Sequence, residues 1–209
     1  MSNGGGITRA VPYGDRAVLV EAADPADVPG LRAALAAAPL AGQVDLVPAA
    51  RTVLVVLDRP PTELDLAVLR RLVPAELSAG SAGATVELPV VFDGPDLAEV
   101  ARLTGRTEDA VVGALTAARF VVAFGGFAPG FGYLTGLPPA LHVPRRPTPR
   151  TRVPAGAVAL AGPYAGVYPR ASPGGWQLVG RTDAVLFDVD RDPPALLAPG
   201  TSVRFRVVG

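Results

Sequence analysis

The N-terminal part of the chain alternates short β-branched runs with a longer Ala/Leu-rich stretch of helical character. Ala17–Glu21 reads AVLVE and predicts a strand, and Pro29–Ala38 predicts a helix. Val44–Val47 and Thr52–Leu57 flank Pro48–Arg51, which predicts an antiparallel hairpin with a slightly loose loop. Thr62 and Asp65 have capping-box spacing ahead of Leu66, Leu69, Leu72 and Val73, so a second helix starts there and stops at Pro74. This order of strand, helix, strand, strand, helix predicts a small α+β sandwich. Ser78–Ala84, rich in Ser, Gly and Ala, is the expected linker. The expected division is therefore an N-terminal α/β domain over residues 1–84, tail and linker included, and a second domain over 85–209.

The pattern changes after the linker. Thr85–Phe92 (TVELPVVF) reads as a strand that Pro89 confines to a sheet edge. Pro95 sits where a first helical residue is tolerated, Leu97, Val100 and Ala101 make one helical face, and Gly105 ends that helix. Thr107, Glu108 and Asp109 open the next one. Beyond Phe120–Phe124 the chain consists of short strands cut by Gly and Pro until Val207, which predicts a mainly-β barrel or sandwich with functional loops at its rim.

Composition narrows the chemistry. All nineteen basic residues are Arg, balanced by nineteen acids, and the chain has no Cys and one His, His142. Disulfides, a thiolate nucleophile, thiolate-bound metal, a Schiff-base lysine and a P-loop lysine are excluded. One chain cannot supply several imidazoles to a metal either. A net charge of zero lacks the footprint of a nucleic-acid binder. Met1–Gly6 reads as a flexible polar tail and not a signal peptide, and no apolar run approaches membrane-spanning length, so the expectation is a cytoplasmic protein without a membrane or nucleic-acid partner.

Charge placement is the strongest functional signal. From Ala110 to Thr182 there is no Asp or Glu, yet the stretch carries Arg119, Arg145, Arg146, Arg150, Arg152, Arg170 and Arg181. Three blocks in it combine glycine, proline and aromatics. GGFAPGFGYLTGLP at Gly125–Pro138 brings Phe127, Phe131 and Tyr133, either as walls of a cleft or as barrel filling. PRRPTPRTRVPAGAVALAG at Pro144–Gly162 sets Arg145, Arg146, Arg150 and Arg152 along an extended chain, where Arg150 and Arg152 share a face. Guanidinium forks bind carboxylate or phosphate at two points, so the block suits a small anionic substrate; a solvated charged rim is the plainer alternative. GVYPRASPGGWQLVGRT at Gly166–Thr182 predicts a tight turn at Ser172, Pro173, Gly174 and Gly175 whose amides form an anion nest before Trp176, with Arg181 just beyond. Trp176 is either a core anchor or the end of the aromatic cleft. Ser172 has no local base, so no catalytic residue is assigned.

Together, these blocks closely resemble the B-component family of 5-oxoprolinase, also called KipI-like or allophanate hydrolase subunit 1, whose domain comprises carboxyltransferase subdomains C and D. YGDRAVLVE at Tyr13–Glu21 and LPVVFDGPDLAEVARLTG at Leu88–Gly105 extend the resemblance nearly end to end. It implies an N-terminal α/β domain followed by a cyclophilin-like β-barrel. It also implies an ATP-dependent lactam hydrolase opening 5-oxoproline to glutamate, with a homologous C component (KipA-like) and an A component as partners. ATP would bind on this chain or a partner, with Mg²⁺ not held by the Arg-rich region, which offers no carboxylate. The isolated chain is expected to be inactive. Other members inhibit a sensor histidine kinase, or form the carboxyltransferase part of urea carboxylase, and these remain as alternatives. This chain departs from the family where relatives commonly carry a His-Thr pair, having Leu115 and Thr116, and Phe120 stands where Tyr is frequent. Ala157 replaces a frequent Ser, and Tyr164 and Ala165 replace Gln and Thr.

Overall fold

The computed structural model describes residues 6–75 and 85–209; the expected linker and most of the expected tail lie outside them. The chain divides into two compact units, Met1–Ser81 and Ala82–Gly209.

The first unit runs β1 (Ile7–Pro12), β2 (Ala17–Ala22), α1 (Val28–Ala37), β3 (Gln43–Pro48), β4 (Thr52–Leu57) and α2 (Glu63–Leu69). Its four strands form an antiparallel sheet in the order β1-β2-β4-β3. Strand alternation sends Val18, Val20, Val53, Val55 and Leu57 to one face, where Leu31 and Leu35 of α1 and Leu66 and Leu69 of α2 cover them. The capping box is present: Thr62 Oγ1 accepts from the Asp65 amide and the Asp65 carboxylate accepts from the Thr62 amide. Strand β1 has no counterpart among the elements expected from sequence, because an edge strand that buries only Ala10 leaves no apolar run to see. Helix α2 is also shorter than expected; Val73 lies beyond it and is exposed.

The second unit runs β5 (Val86–Val90), α3 (Leu97–Thr104), α4 (Glu108–Ala117), β6 (Phe120–Gly125), β7 (Gly132–Thr135), β8 (Arg150–Val153), β9 (Ala157–Ala161), β10 (Tyr164–Val167), β11 (Ser172–Gly174), β12 (Gln177–Arg181) and β13 (Ser202–Val207). Seven of these strands form one sheet in the order β12-β9-β10-β7-β6-β13-β5, and β11 pairs with β8 separately. Strand β5 is an edge, as Pro89 requires, and is parallel to β13. Just past it, Val91 and Arg181 exchange two backbone hydrogen bonds of 2.9 and 2.8 Å, so the sheet curls almost shut into a barrel. Gly105 closes α3 in the left-handed conformation and Thr107 caps α4.

The barrel has an apolar content on both sides of β9. Val158 and Leu160 join Val90, Phe120, Leu134, Val179 and Phe205 in one core, onto which Val100, Val111 and Leu115 pack from the helices. Ala157, Ala159 and Ala161 face the other way, onto a second cluster of Phe131, Tyr168, Trp176 and Leu178. Small residues on that face leave room for the rings. Leu115, Phe120, Ala157 and Ala165 are all buried, so the hydroxyl-poor and imidazole-poor positions of this chain serve packing.

Candidate functional site

The second cluster opens to the surface as a pocket lined by Phe127, Phe131, Tyr133, Arg145, Tyr168, Gly174, Gly175 and Trp176. Phe131, Tyr168 and Trp176 form its buried base, whereas Phe127 is 58% exposed at its edge. The rings meet edge to face: Phe131 lies 5.3 Å from Tyr168 and 5.6 Å from Trp176, and Phe127 lies 5.4 Å from Phe131. Gly166 is required beneath them, because a Cβ there would stand 2.9 Å from Phe131 and 3.1 Å from Trp176. Gly174 is required for a similar reason, since its Cβ would collide with the Tyr168 hydroxyl.

Phe127 is the one non-glycine residue with positive φ among the described residues, at 65°. The Ala128 amide donates to the Gly126 carbonyl at 2.7 Å across it, which makes a strained γ-turn. Such a conformation costs about 1–3 kcal/mol. Burial does not offset that cost at so exposed a ring, so the turn's effect is to hold an aromatic side chain over the pocket mouth.

The arginines separate into three groups. Arg145 lines the pocket, is exposed, and has no ion pair among the described residues. Arg146 and Arg150 instead converge on Asp96, each donating to its Oδ1 at 2.7 Å. Asp96 Oδ2 accepts from the Leu178 amide of β12, also at 2.7 Å. Arg152 is exposed and makes no ion pair among the described residues, and Arg181 pairs with Asp93 at 2.9 Å. The acid-free stretch therefore recruits its carboxylates from Asp93 and Asp96, ahead of it in the chain. A single four-arginine anion surface is not what forms: two of the four are already neutralised in part, and Arg145 alone stands in the aromatic pocket.

The expected nest at Ser172–Gly175 is also corrected. Ser172–Gly174 is the strand β11, paired with β8 so that Gly174 stands opposite Arg150, and neither Gly174 nor Gly175 has the positive φ of a nest. Ser172 Oγ donates to the Arg170 carbonyl at 3.4 Å. What the segment provides is a glycine wall. Its position is fixed from behind by that ladder pairing and by the Arg146 amide, which donates to the Gly175 carbonyl at 2.7 Å.

Asp96 and Tyr168 belong to this candidate site, although the sequence does not single them out. Pro95-Asp96 before an apolar helix reads as a cap, yet Asp96 makes no side-chain hydrogen bond to α3. Burial pushes the Asp96 carboxyl upward, but the bonds from Arg150 and the Leu178 amide and the charges of Arg150 and Arg146 outweigh it, and the group lies below the usual aspartate range. Tyr168 moves the other way. Burial raises its phenol, against the pull of Arg145, the Trp176 amide and Arg150, so the hydroxyl keeps its proton at neutral pH. Arg146 Nε, Arg150 Nη1 and Gln177 Oε1 are buried without a partner among the described residues, an arrangement that costs stability unless water or a ligand completes it. No cluster of three metal-ligating side chains occurs among the described residues.

Comparison with known proteins places this architecture. The family model described as carboxyltransferase domain, subdomain C and D, matches residues 8–197. The B component of 5-oxoprolinase from Escherichia coli O157:H7 is 55% identical over 123 residues, 57% of this chain and 56% of that protein; the matched stretch thus spans little more than half of the relative's length. The crystal structure of TTHA0988 superposes with a TM-score of 0.75 at 39% identity, covering 93% of this chain and 40% of that one. A conserved uncharacterized protein from Pyrococcus horikoshii superposes with a TM-score of 0.58 at 33% identity, covering 96% of this chain and 97% of that one.

Proposed function

Because the chain belongs to the carboxyltransferase subdomain C and D family, we propose that it works as the B component of a cytoplasmic, ATP-dependent 5-oxoprolinase that opens 5-oxoproline to glutamate together with A and C components. The observation that carries this reading is the 55% identity to a protein named as the B component of 5-oxoprolinase. The cyclophilin-like reading of the barrel and the heteromeric reading of the assembly both belong to this proposal.

The chemistry of the pocket supports a contributory role. It offers one guanidinium, the two phenols of Tyr133 and Tyr168, ring faces and glycine backbone, and no carboxylate or imidazole. Such a set binds and orients an anion but holds no general base. At about 80 Å³ the pocket is also far smaller than the roughly 300–1,000 Å³ of sites that take cofactor-sized ligands. This pocket therefore takes neither ATP nor the base that activates water; both are proposed to come from elsewhere on this chain or from a partner protein, and the isolated chain is proposed to be inactive. ATP-driven phosphorylation of the lactam oxygen would create anionic intermediates, toward which Arg145 supplies the one guanidinium of this pocket.

The test is reconstitution. This chain is purified with its candidate A and C components, and 5-oxoproline loss is measured with ADP release. Hydrolysis is expected from the three together and not from this chain alone. A complete, folded assembly that releases no glutamate would sink the reading.

A further inference from the structure

We propose that the pocket beneath Phe127 is the seat of the substrate ring itself, with Arg145 taking a carboxylate and the Tyr168 hydroxyl donating to a ring carbonyl. The ligand class is a small monocyclic carboxylate that carries an acceptor oxygen, and the inference rests on the 5-oxoprolinase reading for its named member.

Size selects first. The enclosed space of about 80 Å³ is a few water volumes and opens at its mouth, so it seats one face or edge of a small ring and is too small to bury a nucleotide. Shape selects next. The base is made of ring edges and faces from Phe131 and Trp176, which suit a compact, mostly apolar ring. Charge then fixes orientation. Arg145 is the pocket's one cation, and its exposure leaves it free to swing onto an entering carboxylate, whereas Arg146 and Arg150 are already held by Asp96.

Tyr168 supplies the discrimination. Its side chain is almost wholly buried, lines the pocket, and presses its hydroxyl against Gly174. The hydroxyl accepts from the Trp176 amide and keeps its proton, which is thus available to an acceptor on a ligand in the pocket. A ring carbonyl provides one; a saturated ring does not. The strained γ-turn gives an independent pointer to occupancy, because it spends conformational energy to keep Phe127 exposed over this mouth instead of packed in the core.

Trp176 is the chain's single tryptophan and lies in the pocket wall, so its emission reports binding directly. The folded chain is titrated with 5-oxoproline and with cyclopentanecarboxylate, which has the same ring size and charge but no carbonyl. 5-Oxoproline is expected to give a saturable change with a dissociation constant roughly tenfold lower than the control, the worth of one good hydrogen bond. Tyr168→Phe should erase that difference, and Arg145→Ala should weaken both ligands by about tenfold or more, with ligand-observed NMR as a second readout and thermal unfolding to verify the fold. An unchanged preference in Tyr168→Phe, or no saturable binding by either readout, overturns the proposal. The two readings fail separately: a lactam bound here without hydrolysis by the complete assembly removes the enzyme reading alone, and hydrolysis with wild-type KM in both variants removes the pocket alone.

Discussion

Asp65 in the first unit and Asp96 in the second are both buried carboxylates at the start of a helix, and both are gripped by arginine. They differ in reach. Asp65 accepts from Arg59 at 2.7 and 3.0 Å and from the Thr62 amide at 2.7 Å, all within six residues, so it fastens a turn to the helix that follows. The Asp96 carboxylate makes no bond to its own helix and joins groups 50, 54 and 82 residues away, so it fastens the start of α3 to the arginine segment and to β12. One aspartate makes local structure. The other fixes the segments behind the glycine wall of the pocket.

Truncation should separate these roles most strongly. Asp96→Ala leaves two half-buried guanidinium groups and a buried amide without their acceptor, and removal of one side of such a network typically costs about 3–5 kcal/mol. Asp65→Ala removes a capping box and one ion pair whose arginine is one-third exposed, for which about 1–3 kcal/mol is expected. Urea denaturation gives the magnitudes. Hydrogen exchange gives the location: lost protection should stay near α2 for Asp65→Ala and spread to β8, β11 and β12 for Asp96→Ala. Equal effects, or a loss confined to α3 for Asp96→Ala, would erase the contrast.

Acid should erode the two clamps in sequence. Both carboxyls are held below the ordinary aspartate value of 3.8, Asp65 well below it, chiefly through the Arg59 hydrogen bond, which outweighs the upward push of burial. A group with a depressed folded value binds fewer protons when folded, so its stabilising contribution is complete at neutral pH, falls once acid protonates the unfolded chain, and is gone when the native state is protonated too. Both contributions are therefore expected to start falling together as pH drops through about 3.8; that of Asp96 is exhausted first, and that of Asp65 goes on falling to lower pH. Unfolding midpoints measured from about pH 6 downward check this. Asp96→Asn should flatten only the earlier part of the fall and Asp65→Asn should flatten it down to the lowest pH.

The same contrast explains what is legible in the sequence. The Asp65 clamp can be read because Thr62 and Asp65 are three residues apart and their spacing is itself the geometry. Barrel, helix caps and the Pro89 edge are legible for similar reasons, since each leaves a local pattern of period, cap or punctuation. The partners of Asp96 lie a domain's length away, so the acid-free stretch reads as an unneutralised arginine surface although two of its cations are already engaged. Ser172–Gly175 misleads through composition: Ser, Pro and Gly favour turns, but pairing with β8 overrides that preference and makes a strand. The aromatic residues are legible as a group. Their division into a buried base, with Phe131 and Trp176, and an exposed brim, with Phe127, requires the fold.

Backbone strain marks one further difference between the units, and it yields the smallest expected effect. No residue described in the first unit, glycine aside, has positive φ, whereas the second holds Phe127 at 65° in its γ-turn. Replacing Phe127 by Gly removes the steric penalty of the left-handed region, but the new residue also loses more conformational freedom on folding. The released strain is about 1–3 kcal/mol and the added entropy cost about 0.5–1 kcal/mol. The ring's remaining buried area and its edge contacts with Phe131 and Tyr168 are lost with it, at a cost similar to the strain released. Phe127→Gly should therefore leave stability within about 1 kcal/mol of the parent in urea denaturation while weakening 5-oxoproline binding in the Trp176 titration. Near-neutral stability with weaker binding identifies strain kept for a ligand; a loss of several kcal/mol would mean that the ring serves the aromatic core after all.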